Sequence, residues 1–165
     1  METESAVTLE ELLPPVTDLG SGFATAVDAW RWLLPTPPSP LLITMLGDLF
    51  LDIRDEIFFL DTTRGTLSAV SPSRNDWKRQ LHDPVRIAEW FTPVFVRELV
   101  ECAAALKAGE VYSPIIPPVL GGTMTPDNYT PSQWRMHLHV LGQVHRQIQG
   151  VPPGTVVDLK LDPLP

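Results

Sequence analysis

"LLITMLGDLFLDIRDEIFFLDTTRGTLSAVS", residues 41–71, decides the fold of this chain. It holds four short runs rich in Ile, Leu, Phe and Thr: "LLITML", "DLFLDI", "EIFFLDT" and "TLSAVS". They are separated by Gly47, by Arg54-Asp55 and by Thr63-Arg64-Gly65. In the second run Leu49, Leu51 and Ile53 alternate with Phe50 and with the charged Asp48 and Asp52. That alternation predicts a strand with one face on a core, because successive side chains of a strand point to opposite faces. Links of two or three residues are too short for parallel crossovers, so the runs read as antiparallel hairpins. The expectation is a central antiparallel β-meander of about four strands.

Outward from the meander the period becomes helical. Upstream, "TLEELL" sets Thr8 three residues before Glu11, a capping-box spacing for a short helix that Pro14 and Pro15 stop. "GFATAVDAWRWLL" places Phe23, Val27, Trp30 and Leu34 on one helical stripe, ended by "PTPPSP". Downstream, Asp83-Pro84 reads as an N-cap followed by proline at the first helical position, and "VRIAEWF" continues the helix to a break at Pro93. "VFVRELVECAAALKAG" resumes it, with Phe95, Leu99, Cys102 and Leu106 on one stripe and Gly109 as the stop. "TPSQW" predicts another helix, capped by Thr130, with Pro131 in its first turn and Gln133 closing the box, running to about Gln149. Gly150 and Pro152-Pro153 end it, and "TVVDLKL" reads as a last strand. The fold class expected is α+β: one domain over residues 1–165, its first twenty partly irregular. N-terminal helices precede the meander, and C-terminal helices pack on one face of it.

Composition narrows the function. A hydrophobic fraction of 44% with 19% charged residues is that of a globular chain. Twelve Lys and Arg against twenty Asp and Glu give a net charge of −8, which repels phosphates and attracts basic partners, so direct nucleic-acid binding is not expected. The one cysteine, Cys102, excludes an internal disulfide, and its apolar neighbours in "LVECAAAL" predict a buried, inert thiol. The acidic start "METESAVTLEELL" lacks a basic region before an apolar core, and no apolar run is long enough to cross a bilayer. The expected location is the cytoplasm, away from membranes.

Candidate chemistry is concentrated in "MHLHVLGQVHRQI", residues 136–148, which holds three of the four histidines. A helix turns about 100° per residue, so His137 and His139 point about 200° apart, and His145 lies two turns beyond His137, about 12 Å along the axis. No HExxH, CxxC or neighbouring carboxylate completes a metal set. Structural roles are expected for all three, with His137 near the core face; no metal and no cofactor is expected. Asp48, Asp52, Asp55, Glu56 and Asp61 read as solvated edge and turn charges that discourage sheet-to-sheet association. As a strip for a partner they are more plausible than as a catalytic pair. Asp52, Asp55 and Glu56 are the candidate contact residues. There is no GxSxG turn, and the "LGG" at 120–122 suits a close backbone approach better than a phosphate loop. The alternative is a small metal-dependent hydrolase using the 137–145 histidines with a carboxylate from the sheet.

Three stretches carry a family resemblance: "AWRWLL" followed by "MLGDLFLDIRDEIFFLDTTRGTLSAVS", then "AGEVYSPIIPPVLGG", then "LGQVHRQIQGVPPGT". In that order, over roughly residues 28–157, the chain resembles the C-terminal domain of type VI secretion DNase-immunity proteins. "PPVLGG" and "GQVHRQI" are its more specific elements. The resemblance implies a non-enzymatic inhibitor in the cytoplasm that binds a cognate secreted nuclease toxin and protects the producing cell. Family members can carry a further N-terminal domain, for which this sequence shows no counterpart. The family supplies no catalytic residues, and its "HRQI" element places His145 and Gln147 in a family motif, for which an architectural role is favoured over a chemical one.

Overall fold

The meander forms as one antiparallel sheet in the computed structural model, which describes residues 7–165. The first six residues of the acidic start lie outside the described residues. Strands β1 (Ser39–Ile43), β2 (Leu49–Ile53), β3 (Glu56–Asp61) and β4 (Thr66–Ser71) lie side by side in chain order. Leu51 sits opposite Phe58, and Phe59 opposite Ser68. The β2–β3 link is a two-residue turn in which Arg54 and Asp55 both take positive φ, 55° and 69°. Such a turn matches the right-handed twist of its strands. The Asp52 carboxylate steadies it by accepting from the Asp55 N–H at 3.0 Å.

Both faces of the sheet are covered, because β2 and β3 are apolar on both sides. Leu49, Leu51, Ile53 and Leu60 enter one core with Phe23, Val27, Trp30 and Leu138. That core lies under the short helix α1 (Phe23–Val27), the 3-10 turn Asp28–Trp30 and the long C-terminal helix named below as α5. Phe50 and Ile57 point the other way, into a core roofed by helices α2 (Arg74–Gln80), α3 (Pro84–Phe91) and α4 (Pro93–Cys102). There Phe50 is ringed by Phe59, Trp77, Trp90 and Phe91, with centroids 4.9 to 6.0 Å away. Fully burying an aromatic of this size contributes about 1.5–3 kcal/mol. The alternation in residues 49–53 was therefore correct in phase, yet its second face is a core and not solvent.

Local signals explain most helix ends. The Asp83 carboxylate caps α3 by accepting from Val85 N–H at 2.9 Å, and Ser73 caps α2 through Asp76 N–H at 3.2 Å. Pro93 cannot donate into the preceding turn, so α3 stops at Thr92 and α4 begins afresh. Upstream, the Glu11 carboxylate accepts from both the N–H and the hydroxyl of Thr8, closing a single 3-10 turn.

Several expectations are corrected. "TPSQW" is not a helix start: Tyr129–Gln133 is strand β6, paired antiparallel with β5 (Glu110–Pro114), and helix α5 runs from Trp134 to Ile148. Tertiary pairing overrides the capping spacing, and Pro131 is tolerated because this two-stranded ribbon leaves it an edge position. Helix α4 ends at Cys102, whose thiol is exposed and not buried; Gly109, at φ 79°, turns the chain into β5. "TVVDLKL" joins no sheet. It runs extended along α5, where the Gln147 amide exchanges two bonds with the backbone of Lys160 (2.9 and 3.0 Å) and Gln143 does the same for Asp162 (3.2 and 2.7 Å). The C-terminal helices do not share one face: α2–α4 cover one, and α5 lies with the N-terminal elements on the other.

The tryptophan stripe locks α5 in place. The Trp30 indole N–H donates to the Leu138 carbonyl at 2.9 Å, and the Trp32 indole to the Gly142 carbonyl at 3.3 Å. Gly142 permits this approach, since a Cβ there would lie 2.7 Å from the Ala29 methyl.

Candidate functional site

At the end of the sheet away from the 54–55 turn, a cleft of about 420 Å³ opens. Asp48 enters it from the start of β2, and Asp61, Thr63 and Arg64 from the β3–β4 turn. Glu89, Trp90 and Thr92 come from α3 and its end, Val119 and Met124 from the corner between β5 and β6. That corner is the "PPVLGG" stretch. Its shape is fixed from within: the Asn128 side chain accepts from Ile116 N–H at 3.0 Å and donates to the carbonyls of Ile116 and Thr123, both at 2.9 Å. Gly122 lies so close to the Ile116 carbonyl that a Cβ would collide with it, as the double glycine suggested. The result is a rigid corner that holds Ile115, Ile116, Val119, Leu120 and Met124 in solvent.

Behind the cleft lies a buried polar chain. Asp48 Oδ1 accepts from both the N–H (2.7 Å) and the hydroxyl (2.9 Å) of Thr62. The Thr62 hydroxyl also meets His137 Nε2 at 3.0 Å, and His137 Nδ1 meets the Ser113 hydroxyl at 2.9 Å. A hydroxyl has one proton to give. With Asp48 ionised it goes to the carboxylate, so His137 donates from Nε2 and accepts from Ser113 at Nδ1. With Asp48 protonated, the bonds through the Thr62 hydroxyl and the His137 ring can reverse, while the Thr62 N–H still donates to Oδ1. Burial, reinforced by the nearby Asp61, pushes the Asp48 carboxyl up to about 7. Burial likewise holds His137 down at about 3, so its ring is neutral.

The sequence expectation of a solvated charge is thus wrong for Asp48, which is 7% exposed. Asp61 is paired with Arg64 at 2.7 Å. The proposed contact residues sit at the opposite end of the β2–β3 hairpin. Asp55 and Glu56 are exposed there, whereas Asp52 is half-buried and bound to Arg74 at 2.6 Å. The structure does not bring these three to the cleft.

The histidines do not all diverge: His139 points away from the other two, as the helical angle requires, but His137 and His145, two turns apart, both reach Thr62. His137 faces Thr62 and Ser113, His145 reaches the Thr62 carbonyl at 2.9 Å, and His139 meets the Asp162 carbonyl at 2.9 Å on the far side. Gly47 and Gly65 make room for the rings of His137 and His145, where any Cβ would collide. Among the described residues, no three His, Cys, Asp or Glu side chains group as metal ligands. What sequence reasoning missed is the link from His137 to Asp48. Thr62 supplies it, and nothing in "LDTTRG" marks one threonine as buried.

The segment that frames the cleft on two sides also matches a known family. Residues 71–145 match the family model "T6SS immunity protein Tdi1, C-terminal". The resemblance read from the sequence is borne out over this stretch, which includes α2–α4, the 115–124 corner and most of α5. That family is one of immunity proteins. Among solved structures, the chain is similar to the crystal structure of Atu4351 from Agrobacterium tumefaciens, at 18% identity and a TM-score of 0.48. The match covers 73% of this chain and 60% of that one, so the chain spans less than two thirds of that protein's length. Among curated proteins none matches. No helix among the described residues is long and apolar enough to cross a membrane.

Proposed function

We propose that this protein is a non-enzymatic immunity protein that binds and neutralises a cognate secreted nuclease toxin in the cytoplasm of the producing cell. The observation that carries this reading is the family match over residues 71–145. Two physical features support it. A nuclease must present a positively charged groove to hold phosphates, and a chain of net charge −8 meets such a surface with complementary sign. The exposed, rigidly held apolar residues of the 115–124 corner are of the kind that a protein partner covers.

A second contact is proposed at the hairpin tip. Asp55 and Glu56 meet the toxin there, and Asp52, engaged by Arg74 and by the Asp55 N–H, holds the turn. The hydrolase alternative is less favoured, because His137 and His145 bond Thr62 from one side while His139 faces the C-terminal segment, and the three rings share no common ligand position.

The test is co-expression with a secreted nuclease toxin of the producing organism. Cells should survive toxin induction with this protein and die without it, and the two should co-purify. Death in both cases, with the protein folded and abundant, overturns the proposal. Charge reversal at Asp55 and Glu56 should slow association; an unchanged on-rate removes the tip from the interface.

A further inference from the structure

We infer that the cleft between the β3–β4 turn and the 115–124 corner is a socket for one basic side chain, an arginine or lysine, presented by the toxin, with Asp48 as its counter-charge. The inference rests on the immunity reading and names the chemistry of its contact.

Asp48 makes the first argument. Both of its hydrogen bonds come from Thr62 and both end on Oδ1, so Oδ2 has no hydrogen-bond partner among the described residues. The residue is more than nine-tenths buried and lines the cleft. A carboxylate taken out of water without a cation is expensive, and folds rarely keep one that nothing ever compensates. The guanidinium that lines the cleft, Arg64, is bonded to Asp61 and lies 79% exposed, so it offsets the Asp48 charge only weakly. Glu89, on the opposite wall, is likewise held by Arg86 at 2.9 Å. The charge at the floor is therefore the one left for a visitor.

The walls make the second. Leu46, Phe59, Trp90, Val119 and Met124 surround the approach to Asp48 with apolar surface. A long basic side chain suits that combination, since its methylene stem covers apolar surface while its head carries the charge. A bare metal ion would want several converging oxygens, and the floor offers one carboxylate. A protein-borne cation also explains the rim. Ile115, Ile116 and Leu120 continue the apolar surface beyond the cleft, where only a larger partner would cover them. Asn128 and Gly122 fix that rim in advance, which lowers the ordering cost of binding.

The charged and titratable groups facing Asp48 are Asp61 and Arg64 from the β3–β4 turn, Glu89 from α3, Tyr129 from β6, and His137 from α5 through Thr62. A cation seated beside Asp48 favours its ionised form. Because the free carboxyl titrates near 7, toxin binding should weaken by about tenfold per pH unit below that value, the protonated floor having to lose its proton first.

The experiment is calorimetric titration of a secreted nuclease toxin of the producing organism into the wild type and three variants, Asp48→Asn, Val119→Lys and Leu120→Lys, between pH 5.5 and 8.5. Asn keeps an acceptor for Thr62 and removes only the charge. Asp48→Asn should bind at least about 30-fold more weakly at pH 8. The ratio of the two affinities should shrink as pH falls through 7. Val119→Lys and Leu120→Lys, both at exposed positions, put a like charge at the mouth of the socket and should each cost about tenfold or more, with melting unchanged. Binding by Asp48→Asn within about twofold of wild type, with the same pH profile, overturns the socket while leaving the immunity reading intact. If Asp48→Asn fails to fold, the two surface variants decide, and wild-type affinity in both overturns the socket. A wild type that binds no toxin overturns the immunity reading itself.

Discussion

Asp48→Asn should make the protein more stable in base while changing little in acid. The folded-state value of Asp48, about 7, stands above its ordinary 3.8. A carboxyl raised in this way stabilises the fold fully below its unfolded value, and that contribution is lost as pH rises towards 7. At 1.36 kcal/mol per pH unit the loss is on the order of 4 kcal/mol. His137 runs the opposite way. Its value is depressed from 6.5 to about 3 by burial, so its contribution is lost as pH falls below 6.5. Between about pH 4 and 6.5 the two slopes oppose, and the wild-type stability curve should be nearly flat there. Asp48→Asn removes one side of this balance, so the variant should gain stability steadily as pH rises across the same window. Urea unfolding at half-unit steps from pH 4 to 8 reads both curves, and their difference isolates Asp48. The variant should gain roughly 4 kcal/mol on the wild type from pH 4 to 8. A difference that stays constant within about 0.5 kcal/mol would mean that Asp48 is not buried as a costly charge, and would refute the reasoning. If the socket holds, this more stable variant is also the poorer binder, a trade of stability for function.

Three further outcomes follow from the packing. Gly65→Ala forces a side chain into a backbone at φ 67° and against the His145 ring, displacing it from the Thr62 carbonyl; it should cost about 2–4 kcal/mol in urea unfolding. Gly122→Ala collides with the Ile116 carbonyl and should open the 115–124 corner, seen as faster limited proteolysis there and a loss of about 1–3 kcal/mol. Replacing Gln143 and Gln147 together by alanine should free the C-terminal segment. The Lys160 and Asp162 amides would then lose hydrogen-exchange protection while those of β2 keep theirs.

The meander was legible because its determinants are local: links of two or three residues, and alternation that sets the phase of β2. The helix start at Asp83 obeys local capping chemistry, and the separation of His139 from His137 needs only the helical angle; the helix capped by Ser73 was not read from the sequence. What failed depends on distant partners. Asp48 is buried because Phe50, two residues on, draws α2 and α3 over the face that Asp48 shares, and no pattern within residues 41–71 announces that roof. Thr130-Pro131-Ser132-Gln133 carries a sound capping spacing, but pairing with residues 110–114, about twenty residues away, overrides it. The last apolar run is extended as its residues prefer, yet its backbone finds glutamine amides of α5 where a strand partner was expected.

The most direct measurement is titration of the toxin's nuclease activity with the purified protein, the recovered chain being weighed afterwards as intact mass. The account predicts loss of DNA cleavage that is complete at one equivalent, with both chains chemically unchanged. Cleavage that continues in excess protein, or inhibition by catalytic amounts with covalent alteration of the toxin, would contradict it.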